Sequence, residues 1–184
     1  MTQRPHWTVR AERVNRAVGR AAAWLAPFMI LVGASNAVAR YLGRYTGINL
    51  SSNAYLELQW YAFSVLFLLA GAWVLAEDRH VRVDVLYERC SPKLQAWIDF
   101  LGLLLFLLPF LLVSLGLTWP MVRNSWSVLE VSPDPGGLPR YPLKAVVLVA
   151  YALLLFQGVL LLIRRAAALR GAAVEIDGFN LLTT

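Results

Sequence analysis

Long runs without charge alternate with short polar stretches along the chain. Four runs stand out: Ala21–Ala39, Leu58–Ala76, Phe100–Val122 and Ala145–Ile163. Charged residues bracket each run, with Arg20 and Arg40, Glu57 and Glu77, Asp99 and Arg123, and Lys144 and Arg164. An α-helix rises ~1.5 Å per residue, so about 20 apolar residues cover the hydrocarbon core of a bilayer. The pattern predicts an all-α membrane protein with four transmembrane helices, spanning about 21–41, 57–76, 98–121 and 143–163. These spans form one domain over 21–165, between a basic tail at 1–20 and a tail at 166–184. The basic segment carries interspersed Trp7, Val9, Val14 and Val18. Its composition fits either a helix lying on the membrane surface or a disordered tail. A further interfacial helix is expected between the second and third spans, broken near Ser91-Pro92.

Charge then orients the spans. Twelve of the 17 Lys and Arg residues lie before the first run, between the second and third, or after the fourth. Basic residues are retained on the cytoplasmic side, so both termini and the loop between spans two and three are expected there. Tyr41, Tyr45, Trp60, Trp119 and Trp126 fall near the outer face, and Trp24, Trp73 and Trp97 near the inner one, as two aromatic belts would. Ala37-Val38-Ala39 resembles a signal-peptide cleavage site, but the preceding apolar run is longer than a signal core, and the segment reads as a retained span. The formal net charge is +6 and the mean hydropathy +0.58. With the basic residues placed beside spans, the charge points to membrane lipids and not to nucleic acid.

The spans are chemically quiet. None of the four uncharged runs contains Asp, Glu, Lys, Arg or His, whereas ion-coupled carriers usually place such groups at membrane depth. His6 and His80 both lie outside the runs, where they cannot ligate a haem between helices. Cys90 is the only cysteine, so the chain forms no internal disulfide. Gly136-Gly137 lacks the pattern of a phosphate-binding loop. No nucleophile–base set or metal-ligand spacing is present, so the expectation is a non-enzyme without cofactor or metal. What remains is packing chemistry. Gly33 and Ala37 have small-xxx-small spacing, and Asn36 and Gln157 carry amides that seek partners on other helices. Glu57, Gln59 and Trp60 open the second span, with Glu57 expected in its first turn, where the helix dipole favours an anion. Pro109 is expected to kink the third span. Ser132 to Pro139 contains three prolines and two glycines, which specify a tight loop.

These residues also carry a family resemblance. Glu57-Leu58-Gln59-Trp60, His80-Val81-Arg82-Val83-Asp84, Ser91-Pro92, Ala96-Trp97-Ile98-Asp99, Ser125-Trp126 and Ser132-Pro133-Asp134-Pro135-Gly136-Gly137-Leu138-Pro139, ending at Lys144-Ala145, are similar to the small membrane subunit of tripartite ATP-independent periplasmic (TRAP) transporters, the DctQ-type family. The resemblance covers roughly residues 20–165. It implies a scaffold in the bacterial inner membrane for a large multi-span membrane subunit. That larger subunit would move a solute, an organic acid by family expectation, using an ion gradient. A periplasmic solute-binding protein would deliver the solute. On this reading Gly33, Asn36, Gln59 and Gln157 pack helices within or between subunits, Arg82 and Asp84 organise the cytoplasmic edge beside His80, and Asp134, Pro135, Gly136 and Gly137 shape the outer surface near Trp126 and Lys144. The residues alone leave two other readings open: a stand-alone small carrier, and an accessory subunit of a different membrane complex.

Overall fold

Ser52 and Ser91 show how local chemistry sets the helix limits in the computed structural model, which describes residues 6–48, 51–77, 87 and 89–169. The helices are α1 (His6–Ala23), α2 (Leu25–Thr46), α3 (Asn53–Ala76), α4 (Pro92–Gly102), α5 (Leu108–Ser127) and α6 (Tyr141–Leu169), with a π-helical turn at Leu103–Leu107 joining α4 to α5. The Ser52 hydroxyl accepts a hydrogen bond from the Ala54 amide at 3.2 Å and caps α3. Ser91 caps α4 in the same way, accepting from the Leu94 amide at 3.4 Å, with Pro92 in the first turn. Ser-Pro is thus a helix start, where an unavailable proline N–H costs nothing. Gly47 closes α2 in the left-handed region at φ 70°, donating to the Gly43 carbonyl at 3.0 Å. No strand occurs among the described residues; one isolated antiparallel bridge joins Val131 to Pro139.

Among the described residues, four stretches are long and apolar enough to cross a membrane: Glu12–Thr46, Asn53–Ala76, Leu94–Ser127 and Tyr141–Ala167. The first comprises most of α1 and all of α2, jointed at Trp24. Pro27 supplies no N–H for the Ala23 carbonyl, and the ladder loosens there. The Trp24 amide bonds back to Ala21 at 3.2 Å and the Phe28 amide to Trp24 at 3.4 Å. The third contains the expected irregularity in a particular form. The Leu108 amide reaches back to the Leu103 carbonyl, five residues away. One wide turn immediately before Pro109 moves the backbone off the ideal α path that the proline ring would obstruct.

The helices pack in the order α2, α3, α6, α5, each chiefly against its neighbours in that series. α1 lies on α3 and touches α6, and α4 continues α5 along α6. This is a one-layer array, so most span residues are covered by no other part of the chain. Only 6% of the most apolar window in Leu94–Ser127 is buried, against 22% in the central Tyr141–Ala167. The buried apolar side chains are accordingly few and mostly small: Ala22, Ala62, Ala72, Ala96 and Ala150, with Leu111, Val122 and Leu160.

Candidate functional site

Polar side chains gather at the two ends of this array. At the end holding the α5–α6 loop, Glu57 is the organiser. α3 begins at Asn53, one turn before Glu57, so this carboxylate sits in the second turn of the helix and not the first. It is only 3% exposed. Its Oε2 accepts from the Leu138 amide at 2.5 Å, and its Oε1 accepts from the Ser132 hydroxyl. Within the loop, Ser132 and Leu138 are joined by a backbone bond of 3.1 Å, Gly137 donates to the Asp134 carbonyl at 2.9 Å, and Arg140 donates to the Glu130 carbonyl at 2.8 Å. Asn53 donates to the Pro135 carbonyl at 3.2 Å, and the Tyr61 hydroxyl to the Leu138 carbonyl at 3.4 Å. One helix start therefore holds a loop whose prolines and glycines prevent it from forming helix of its own.

Glu130 forms a second anchor in that loop. It accepts from the Ser125 hydroxyl at 2.7 Å and pairs with the Lys144 ammonium. The Lys144 hydrogen bond, then that of Ser125, hold its carboxyl below the ordinary range against an opposing effect of burial. Trp126 packs edge-on against Tyr141, ring centres 4.7 Å apart. Gly136 adopts φ 72°. Gly137 lies so close to Ser132 that an added Cβ would come within 2.4 Å of the serine Cβ. Asp134 and Pro135 are exposed at the loop tip.

At the opposite end, α1 is tied to α6 and α3. The Asn15 amide donates to Gln157 Oε1 at 2.8 Å, and both side chains are wholly buried. Arg164 meets Glu12 at 2.6 Å, and Arg16 meets Glu77 at 3.1 Å. Arg165 pairs with Asp99 at 2.9 Å, and the same carboxylate oxygen accepts from the Tyr87 hydroxyl at 2.9 Å. Gly158, beside Gln157, contacts the π-helical turn; a Cβ there would meet Leu107 and Leu108 at 3.3 Å.

The structure thus joins Glu57 to the Ser132–Leu138 loop, Trp126 to Tyr141, Lys144 to Glu130, and Gln157 to Asn15. Gly33 faces the Gln59 amide across α2 and α3, where a Cβ would lie 2.3 Å from Nε2. Asn36 is 7% exposed, and its Oδ1 has no hydrogen-bond partner among the described residues. Trp60 is exposed and stacks edge-on with Tyr61 at 4.4 Å. His80, Arg82 and Asp84 lie outside the described residues. Sequence reasoning missed Glu12, Asn15, Ser132 as a ligand of Glu57, and Glu130. The available signal was spacing: Glu12, Asn15, Gly19 and Ala22 recur on one helical face. Among the described residues no group of three His, Cys, Asp or Glu side chains is placed to hold a metal.

Comparison with curated proteins and with solved structures finds no match. Residues 29–168 match the family described as tripartite ATP-independent periplasmic transporters, DctQ component. That match takes in most of α2, all of α3, α4 and α5, nearly all of α6, and both carboxylates that anchor the α5–α6 loop, Glu57 from α3 and Glu130 from the loop itself, and the four long apolar stretches agree with a multi-pass membrane protein. The chain belongs to the DctQ family and is the small membrane component of a TRAP transporter.

Proposed function

We propose that the chain is a stationary scaffold. It holds a large multi-span permease subunit in the bacterial inner membrane while that subunit imports an organic acid, driven by an ion gradient. The α5–α6 loop faces the periplasm, where a solute-binding protein delivers the solute, and both termini are cytoplasmic. The observation that carries this reading is the one-layer packing of α2, α3, α6 and α5. A single layer encloses no path between its own helices, and its broad faces await lipid or another subunit. The uncharged middles of the four runs support the same division of labour, since solute and ion ligands would then lie elsewhere. Glu57, Glu130 and Lys144 stiffen the outer surface, Gln59 and Gly33 set the α2–α3 approach, and Arg82 and Asp84 organise the cytoplasmic edge.

The test is a mild-detergent pull-down of the tagged chain with identification of its partner, paired with uptake in cells. A large permease should co-purify, and Arg82→Ala, Asp84→Ala and Gly136→Val should each reduce assembly or uptake. Solute transport by this chain alone in liposomes would refute the scaffold reading. Orientation is checked separately by cysteine labelling. Thr46→Cys should react with an impermeant reagent from outside intact inner-membrane spheroplasts, and Cys90 should not.

A further inference from the structure

Near the loop end, a cleft of about 410 Å³ lies between α5 and α6. Trp119, Val122, Arg123 and Trp126 follow one another at helical spacing on α5, and Ala145 and Leu148 face them from α6. The small Ala145 leaves the hollow, and buried Val122 contributes to its lining. Trp119 and Trp126 are two turns apart, about 10 Å along the axis. Trp126 is braced by Tyr141. Arg123 is exposed and makes no ion pair or hydrogen bond among the described residues, whereas the nearby Lys144 is engaged by Glu130.

We propose that this cleft is a phospholipid site, with one acyl chain lying in the α5–α6 seam and the lipid phosphate on the Arg123 guanidinium. Three features specify that occupant. First, the cleft lies between packed helices and its lining is almost wholly apolar, the surroundings that suit a flexible hydrocarbon chain. Second, Arg123 ends the uncharged run Phe100–Val122, which sets it at headgroup depth. A planar guanidinium offers paired donors to phosphate oxygens. Third, tryptophans prefer the membrane–water interface, where their rings contact the upper acyl chain and glycerol region. The inference does not depend on which subunit covers the remaining faces.

The test uses the full chain, delipidated in mild detergent and titrated under native mass spectrometry. The probes are phosphatidylglycerol and a diacylglycerol with the same acyl chains. The wild type should bind one phosphatidylglycerol saturably and the diacylglycerol more weakly. Arg123→Gln should lower phosphatidylglycerol affinity about fivefold, the factor expected for one basic residue at a lipid surface. Arg123→Lys should recover part of it. Ala145→Phe fills the seam and should weaken both lipids with Arg123 intact. Helix content by circular dichroism establishes that each variant is folded, and the Arg123→Lys pair keeps the test valid if Ala145→Phe does not fold. Equal binding of the two lipids to the wild type, or wild-type affinity in Arg123→Gln, overturns the proposal. Efficient disulfide capture of Leu148→Cys by another protein chain in native membranes also overturns it.

Discussion

Gly136 and Gly137 are neighbours with different reasons to be glycine. Gly136 has open space for a Cβ but lies at φ 72°, where an L-residue costs roughly 1–2 kcal/mol. At Gly137 the obstacle is contact. A Cβ would lie 2.4 Å from Ser132 Cβ and 3.0 Å from the Asp134 carbonyl, and such overpacking typically costs about 1–3 kcal/mol. Both alanine variants should therefore loosen the loop, but only Gly137→Ala should disturb the Ser132–Glu57 bond. Hydrogen exchange separates them, with Leu138 losing protection chiefly in Gly137→Ala. Glu57→Gln should have a related effect, because an amide cannot offer two acceptor oxygens to Leu138 and Ser132 at once. Glu130 adds a pH dependence. Lys144 and Ser125 stabilise its ionised form in the folded loop. That stabilisation is complete above the ordinary value of 4.5 and disappears as pH falls through the lower folded value. Protection of the Arg140 amide, corrected for intrinsic exchange, should fall on acidification, and Glu130→Gln should flatten the profile. Of these residues, the need for a tight loop was legible in the run of proline and glycine. The carboxylate that holds it was not, because Glu57 and Ser132 are separated by 75 positions and no local pattern links them.

Helix α1 packs on the protein by a face that its apolar residues do not mark. Its scattered Trp7, Val9, Val14 and Val18 suggest a helix resting an apolar side on lipid. The helix exists over His6–Ala23; Val14, 53% exposed, is left uncovered by protein, and the stripe buried against the other helices is Glu12, Asn15, Gly19 and Ala22. Hydrophobicity is a poor guide where the burying surface is itself lined with Arg164, Gln157 and Trp73. The helix instead offers polar groups that pair and a glycine that permits approach. Gly19 and Gly33 then respond differently to the same change. Replacing a helical glycine by alanine gains about 0.5–1 kcal/mol of backbone propensity. At Gly33 the added methyl meets the free end of Gln59, which can rotate away, so the gain should survive. At Gly19 it meets Trp73 at its Cβ and ring, both at 2.7 Å. The resulting overpacking of about 1–3 kcal/mol exceeds the gain. Thermal unfolding in detergent should show Gly33→Ala equal to or above the parent and Gly19→Ala below it. Pro109 gave notice of an irregular third span, but its expression as a π-helical turn fitted to Gly158 required the neighbouring helix.

Four uncharged runs made the number of spans legible, because length and absence of charge suffice for that. They carry no information on neighbour order, since apolar side chains look alike to lipid and to another helix. The order α2, α3, α6, α5 is specified by sparse polar and small residues: Gly33 with Gln59, Glu57 with the α5–α6 loop, Gly158 with the π-helical turn. α1 then ties the start of the chain to its last helix through Asn15–Gln157 and Glu12–Arg164. In a one-layer array with little buried apolar area, these few contacts carry a large share of the specificity. Arg164→Ala would leave the Glu12 carboxylate, 4% exposed, without its closest cation. Breaking a buried pair from one side costs about 3–5 kcal/mol, whereas replacing both members by uncharged groups of similar size is often neutral. Unfolding in detergent with increasing denaturing surfactant should therefore show Arg164→Ala strongly destabilised and the pair Glu12→Gln with Arg164→Met close to the parent. Equal stability of Arg164→Ala and the parent would mean that the Glu12–Arg164 pair contributes little and that the buried Asn15–Gln157 bond is what holds α1 to α6.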